Sequence, residues 1–159
     1  MNATIRDNIL INNPDVDDER LASVIDKCGL RKFLDESPEG LNTMIADNGW
    51  QLSEGIRRRI ALGRALATDG ALVAIDEPTE SLDAEGCRAV YQALAGMAEQ
   101  GRTIIVMSHD SDIVKGLHIQ LDLNSKPVPK ITRVGQKAFP KPDPKLPPPD
   151  PKIEKADKA

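Results

Sequence analysis

The spacing of apolar positions among polar ones predicts several helices in the first part of the chain. Residues 14–28 and 53–67 place apolar side chains at helical spacing. The first of these segments begins with a cluster of acidic residues, which suits the helix dipole, and the second begins at Ser53, a residue type that caps helices. A short helix is predicted around residues 31–35. Residues 41–51 contain a turn-forming Asp-Asn-Gly sequence and are predicted to be irregular.

The second part of the chain alternates strands and helices. Residues 71–75 and 103–107 are short apolar runs without polar alternation, as expected of strands buried on both faces. Between them, Asp83 is placed to cap a helix. The apolar face of that helix is predicted to consist of Cys87, Val90, Tyr91, Leu94 and Met97 or Ala98. A short helix and an edge hairpin over residues 118–123 and 130–134 complete the pattern, which predicts an α/β domain with a parallel sheet.

Composition separates the last stretch of the chain from the rest. The 159 residues have a formal net charge of -4, whereas residues 137–159 hold seven prolines and six lysines against four acidic residues. That stretch has no periodicity and is predicted to be a disordered spacer, although its residues 144–147 also fit the Pro-rich ligand pattern PxxP. The remainder is therefore acidic, which argues against nucleic-acid binding through a basic surface.

Cysteine usage and hydropathy exclude further classes of protein. The two cysteines are far apart and lie in no CxxC sequence, which argues against a metal site and a disulfide. No apolar run approaches the roughly 20 residues that span a bilayer. We therefore expect a soluble chain that reaches a membrane only through something else.

The residues that follow the two predicted strands can carry phosphate chemistry. Ligands of open parallel sheets bind at the carboxyl ends of strands. Asp76 and Glu77 end the first strand and His109 follows the second. An aspartate there holds Mg²⁺ beside nucleotide phosphates, and a glutamate polarises an attacking water. Taken alone, the two acids are weak evidence against an ordinary solvated turn, and His109 is better explained as an ordinary exposed or core histidine.

Four segments in register resemble motifs of the ATP-binding cassette (ABC) ATPases. Residues 75–79 (IDEPT) resemble the Walker B motif, residues 81–83 the D-loop and residues 105–109 (IVMSH) the segment with the switch histidine. Residues 52–56 (LSEGI) resemble the signature LSGGQ, and residues 57–66 resemble the helix that follows it. The alternative, a capped amphipathic helix with an arginine-rich solvated face, does not explain all four together.

This resemblance implies a fold and its division. The fold implied is a partial P-loop NTPase core of the ABC ATPase type, α/β with parallel strands, joined to the helical signature subdomain. Residues 1–68 correspond to the helical subdomain and residues 69–135 to the C-terminal half of the ATPase core. Residues 136–159 correspond to the disordered tail.

The resemblance also implies cofactors and site residues. ATP and Mg²⁺ are the expected cofactors, with Glu77 as the catalytic base, His109 as the switch and Asp76 as the magnesium residue. The expected nucleotide-binding residues are Ser53, Glu54, Gly55, Ile56 and Asp83. Ser53 and the free N–H groups at its helix N-terminus form an anion site that, in the family, faces the γ-phosphate held by the opposite cassette.

Two further segments resemble the exporter branch of the family. Residues 43–51 (TMIADNGWQ) resemble the exporter pattern TEVGERGxQ, and residues 4–10 (TIRDNIL) resemble its TIRDNI segment. Both imply contact with the coupling helices of a membrane-spanning domain, and thus a place at the cytoplasmic face of the inner or plasma membrane. The other partner implied is a second ABC ATPase subunit, with no nucleic acid. A soluble cassette ATPase of DNA repair or translation is a weaker alternative.

Departures from the family pattern bear on activity. Ile56 stands where the family has Gln, Glu54 where it has Gly, and Asp47 where exporters have Glu. These changes are expected to weaken ATP-driven closure without abolishing it. The 159 residues contain no GxxxxGK(S/T) loop, which would precede Met1, so the isolated chain is expected to bind ATP weakly or not at all. An open alternative is a non-catalytic or degenerate cassette that supplies a signature face to a partner ATPase.

Overall fold

The computed structural model describes residues 2–133 of the chain. The predicted tail, its PxxP sequence and the last residue of the predicted hairpin lie outside the described residues. The helices are α1 (Ile5–Leu10), α2 (Asp18–Lys27), α3 (Arg31–Glu36), α4 (Glu54–Ala67), α5 (Ala84–Glu99) and α6 (Ser111–Gly116). The strands are β1 (Ala3–Thr4), β2 (Met44–Ile45), β3 (Leu72–Asp76), β4 (Thr103–Met107), β5 (Ile119–Asp122) and β6 (Lys130–Arg133).

Capping chemistry sets where the first helices begin. Thr4 and Asp7 form a reciprocal capping box at the start of α1. The predicted start of α2 at residue 14 is wrong, because Asp17 has an extended backbone and its carboxylate accepts a hydrogen bond from the Arg20 N–H at 2.7 Å. The helix therefore begins one residue later, at Asp18.

The segment before α4 is more ordered than predicted. β2 pairs antiparallel with β1, with Ala3 opposite Ile45. Two single-turn 3₁₀ helices, Gly40–Asn42 and Asp47–Gly49, flank that strand. Ser53 caps α4 as predicted, since its hydroxyl accepts from the Ile56 N–H at 3.3 Å.

The main sheet is parallel, as predicted, with β3 beside β4 and Leu72 opposite Thr103. The prediction that both strands are buried on both faces is wrong for the described residues. Val73 is buried, whereas Leu72, Ile105 and Met107 on the other face are 58%, 50% and 51% exposed. A parallel sheet needs a helical layer on each face, and among residues 2–133 that second face is left open to solvent.

The core lies between the helices and the covered face of this sheet. Its largest fully buried side chains are Ile5, Ile9, Leu30, Leu94, Met97, Ile113, Val90 and Cys28. α4 packs against α1, α2 and α5 and so lies at the centre of the helical layer. Ala93 adds to the predicted apolar face of α5, in which Cys87 and Tyr91 are only partly buried.

The remaining elements complete a mixed α/β arrangement. β5 and β6 pair antiparallel as predicted, but in the described residues they form a sheet of their own, so their prediction as an edge of the main sheet is wrong. Both cysteines are free. No helix within residues 2–133 is long and apolar enough to cross a membrane.

Candidate functional site

Glu77 and His109 meet where β3 and β4 end. His109 Nδ1 lies 2.9 Å from Glu77 Oε1, and the Ser108 hydroxyl donates to Glu77 Oε2 at 3.1 Å. The parallel pairing of the two strands ends beside these residues, and the Glu77 N–H donates to the Met107 carbonyl oxygen at 2.8 Å. Glu77 adopts a φ of 42°, in the left-handed region that non-glycine residues rarely occupy. The turn at Glu77 thus holds backbone strain, a feature that clusters at functional sites.

The Glu77–His109 hydrogen bond shifts the pKa values of both partners. It lowers the pKa of Glu77 below its usual value, and Ser108 adds to this effect. The same bond raises the pKa of His109, helped by the nearby charges of Glu77, Glu80 and Asp110. The His109 side chain is 83% exposed and that of Glu77 30% exposed, so solvent reaches the pair from the imidazole side. At neutral pH Glu77 is therefore an ionised carboxylate that is partly accessible to solvent.

Asp76, the predicted magnesium residue, lies next to this pair at the end of β3. It is exposed, and its carboxylate makes no hydrogen bond or ion pair with the described residues 2–133. No group of three or more His, Cys, Asp or Glu side chains in that range is arranged to hold a metal ion. A single free carboxylate suits Mg²⁺, which keeps several waters and binds through one or two carboxylates plus substrate phosphates.

The predicted signature residues form the N-terminus of α4. Glu54 is half-exposed, and its carboxylate accepts from Arg58 Nη2 at 3.0 Å, which lowers the pKa of Glu54. The negative charge that Glu54 brings to this helix end is thus paired with a cation. Gly55 faces the loop that precedes α5, since a Cβ at this position would lie 3.6 Å from the Ser81 carbonyl oxygen. Ile56 is partly buried and packs against the core.

Arg58 connects α4 to the turn that carries Glu77, a contact that no pattern in the sequence predicts. Its Nη1 donates to the Glu77 carbonyl oxygen at 2.8 Å, and its Nη2 also pairs with Glu80. The Arg58 side chain is only 23% exposed, and its Nε is buried without a hydrogen-bond partner among residues 2–133. A solvated arginine face, the alternative considered for this helix, is therefore wrong at Arg58, whereas Arg57 is exposed.

Arg59 makes a second connection, to Asp83. Its Nη2 lies 2.9 Å from Asp83 Oδ1, and its Nη1 donates to the Gly29 carbonyl oxygen at 2.6 Å. Asp83 also caps α5, accepting from the Gly86 N–H at 2.7 Å as predicted. The run of three arginines was the signal in the sequence, because three consecutive residues of a helix point in different directions and cannot all lie on one solvated face.

The structure thus brings the predicted residues together in two groups. A groove of about 1410 Å³ between α3, the start of α4 and the loop before α5 is lined by the predicted nucleotide-binding residues Ser53, Glu54, Gly55, Ile56 and Asp83. Asp76, Glu77 and His109 lie outside that lining, at the strand ends. Arg58 joins the two groups through Glu54 on one side and Glu77 on the other.

Comparison with known proteins decides the family. The model of the ABC transporter family matches residues 1–80, half of the chain. The chain belongs to the ABC transporter family. It is 41% identical over 107 residues to the glutathione/L-cysteine transport system ATP-binding/permease protein CydC of Escherichia coli, a match that covers 67% of this chain and 18% of that protein. It is 39% identical over 108 residues to the ATP-dependent lipid A-core flippase of Chromohalobacter salexigens, covering 68% of this chain and 18% of the flippase.

The family's solved structures agree with the fold. A bacterial Atm1-family ABC exporter with ATP bound superposes with a TM-score of 0.69 at 23% identity, over 76% of this chain and 21% of that one. This likeness shows the fold of an ABC exporter ATPase. P-glycoprotein 14 of Caenorhabditis elegans, 39% identical over 106 residues, is matched over 67% of this chain and 8% of its own length. The chain therefore spans less than a fifth of the length of the curated relatives named here.

Proposed function

We propose that the chain is part of the nucleotide-binding domain of an ABC exporter and that it couples ATP binding and hydrolysis to transmembrane export. The observation that carries this proposal is the Glu77–His109 pair at the ends of two parallel strands, next to the exposed carboxylate of Asp76. Membership of the ABC transporter family supports it, because the relatives CydC and the lipid A-core flippase are named as an ATP-binding transport protein and an ATP-dependent flippase.

Within this proposal the strand-end residues act on the water that attacks ATP. The ionised Glu77 accepts a proton from that water or orients it, while His109 and Ser108 hold the carboxylate by its two oxygens. Asp76 would hold Mg²⁺, and the ion would neutralise phosphate charge. The exposed His109 ring is free to contact the γ-phosphate as well.

The start of α4 acts on a second nucleotide. Ser53 and the N–H groups of its first turn offer an anion site to an ATP held by a second ABC ATPase subunit. Glu54 is tolerated there because Arg58 offsets its charge. A membrane-spanning domain is the other partner, so the chain works at the cytoplasmic face of a membrane and binds no nucleic acid. Residues 1–68 and 69–135 act as the helical subdomain and as part of the ATPase core.

The phosphate-binding loop must be present for the site to work. The 159 residues contain no GxxxxGK(S/T), and that loop makes most phosphate contacts in P-loop enzymes. We infer that the 159-residue chain alone binds ATP weakly.

A chimeric transporter tests the proposal. In the lipid A-core flippase of Chromohalobacter salexigens, the segment that matches this chain over 108 residues is replaced by the residues of this chain. The chimera is expected to hydrolyse ATP, and Glu77→Gln is expected to slow hydrolysis by about 10²- to 10⁴-fold, the usual contribution of a general base. Glu99→Gln, at the exposed end of α5, is the matched control and is expected to have no effect.

The same assay separates the alternative function. A cassette that only supplies a signature face would assemble and bind nucleotide in the chimera, yet hydrolysis would be absent or insensitive to Glu77→Gln. A folded, nucleotide-binding chimera in which Glu77→Gln and Glu99→Gln hydrolyse ATP equally fast would contradict the catalytic role of Glu77.

A further inference from the structure

We propose that Asp110, held by Thr79 and Tyr91, is a positioning residue that fixes the loop carrying His109 against the loop carrying Glu77. The inference deepens the proposed function, on which the meaning of the Glu77–His109 pair rests. Asp110 and Tyr91 lie outside the predicted motifs, and Thr79, the last residue of the predicted Walker B segment, has no role assigned to it there.

One carboxylate oxygen of Asp110 joins three elements of the fold. Asp110 Oδ2 accepts from the Thr79 hydroxyl at 2.8 Å and from the Tyr91 hydroxyl at 2.8 Å. Thr79 lies two residues beyond Glu77, Asp110 directly follows His109, and Tyr91 lies on α5. These three residues, the Asp110 cluster, therefore tie the two catalytic loops to each other and to a helix of the core.

The network continues from the Asp110 cluster to the carboxylate of Glu77. The Asp110 N–H donates to Ser108 Oγ at 3.1 Å, and that hydroxyl donates to Glu77 Oε2 at 3.1 Å. His109 thus has an anchored residue on each side.

This anchoring matters because His109 cannot be held by packing. Its side chain is 83% exposed, and the bond to Glu77 is its only side-chain hydrogen bond within residues 2–133. An exposed ring on an unanchored loop samples many positions, whereas catalytic geometry is sensitive to displacements of about 1 Å. The Asp110 cluster supplies the restraint that burial does not.

The protonation states of the Asp110 cluster are suited to this role. Burial alone raises the pKa of Asp110, but hydrogen bonds from the Asp112 N–H, Thr79 and Tyr91 outweigh it and hold that pKa below its usual value. Burial, together with the bond to Asp110, raises the pKa of Tyr91. The carboxylate therefore stays an acceptor and the phenol a donor across the neutral range.

Histidine NMR on the full 159-residue chain tests the proposal. The chain has two histidines, and the imidazole resonances of His109 are followed through the titration. Tyr91→Phe and Thr79→Val each remove one hydroxyl from Asp110 without changing any charge. Each is expected to lower the pKa of His109 toward 6.5, because the bond to Glu77 forms in fewer molecules.

Controls separate this effect from general damage and from other charges. The acidic groups that raise the pKa of His109, namely Glu77, Glu80 and Asp110, are all retained in both variants. Thr132→Val, on exposed β6, is the matched control for Thr79→Val and is expected to leave His109 unchanged. Circular dichroism confirms that each variant is folded. If both variants are folded and His109 titrates as in the parent chain, the proposal is overturned.

A second measurement connects the Asp110 cluster to catalysis. In the chimeric flippase, Tyr91→Phe and Thr79→Val are expected to lower kcat by about 10- to 100-fold, the cost of misplacing a catalytic group. An unchanged kcat in both variants would overturn the positioning role. If Glu77→Gln also has no effect, the proposed function fails instead, while the NMR titration still reports on the Asp110 cluster by itself.

Discussion

Replacing Arg58 with methionine is expected to destabilise the protein, because it cuts the connection between α4 and Glu77. Arg58 is 23% exposed, and methionine keeps the apolar stem that packs in this position. The substitution removes the guanidinium, which donates to the Glu77 carbonyl oxygen at 2.8 Å and pairs with Glu54 and Glu80.

The size of the effect follows from the exposure of each partner. A hydrogen bond with one charged partner contributes about 1.5–3 kcal/mol where it is partly buried, as at the Glu77 carbonyl. Glu54 and Glu80 are 50% and 52% exposed, so each ion pair contributes only about 0.2–1 kcal/mol. Arg58 Nε is buried and has no hydrogen-bond partner in the described part of the chain, so its removal recovers about 1 kcal/mol of desolvation. The net loss is therefore about 2 kcal/mol.

Urea unfolding measures this loss. With a denaturant dependence of about 1–3 kcal/mol per molar urea, the midpoint is expected to fall by about 1 M. Arg57→Met is the matched control, because Arg57 is the exposed neighbour on the same helix and its substitution is expected to stay within about 0.5 kcal/mol of the parent. Equal midpoints for the two variants would refute the reasoning.

Two further predictions concern pH and nucleotide. The Glu77–His109 bond raises the pKa of His109 above 6.5. The stabilisation that protonated His109 contributes is therefore complete below pH 6.5 and is lost as the pH rises through the pKa of His109 in the folded protein. The same bond lowers the pKa of Glu77 below 4.5. The stabilisation that ionised Glu77 contributes is therefore complete above pH 4.5 and is lost as the pH falls through the pKa of Glu77 in the folded protein. His109→Ala is therefore expected to lower the urea midpoint most between pH 4.5 and 6.5 and least at about pH 9, and a cost independent of pH would contradict the ion pair. Titration calorimetry of the 159-residue chain with Mg-ATP is expected to show no micromolar binding, because the phosphate-binding loop is not among its residues, and a micromolar Kd would disprove this.

Element boundaries were predictable where a capping side chain decides them locally. Ser53 and Asp83 were predicted as caps, and α4 and α5 begin one residue after them. The start of α2 was placed too early because the sequence offers several acidic residues in succession, and only the backbone geometry shows that Asp17 is the one that caps. The burial of β3 and β4 was mispredicted for a different reason. An apolar run indicates that a strand is suited to apolar contacts. The exposure of the strand depends instead on which other elements of the fold cover it.

The candidate site was predictable in its strand-end residues and not in its connections. Glu77 and His109 each follow a strand of a parallel pair, so topology alone brings them to one edge. Arg58 and Asp110 reach their partners across 19 to 31 positions of the chain, through side-chain geometry that no hydrophobic period encodes. The sequence therefore indicated the chemical role of charged residues within a motif more readily than that of charged residues that connect two motifs.

These connections link the two groups of predicted residues through side-chain hydrogen bonds. Arg58 joins Glu54 at the start of α4 to the carbonyl of Glu77, and Arg59 joins the same helix to Asp83. On the other side of Glu77, the Asp110 cluster fixes the loop of His109. Under the proposed function the start of α4 meets the nucleotide of a partner subunit, whereas Glu77 acts on the water at the nucleotide of its own subunit. The hydrogen bonds of Arg58 therefore link a residue proposed for one nucleotide site to a residue proposed for the other.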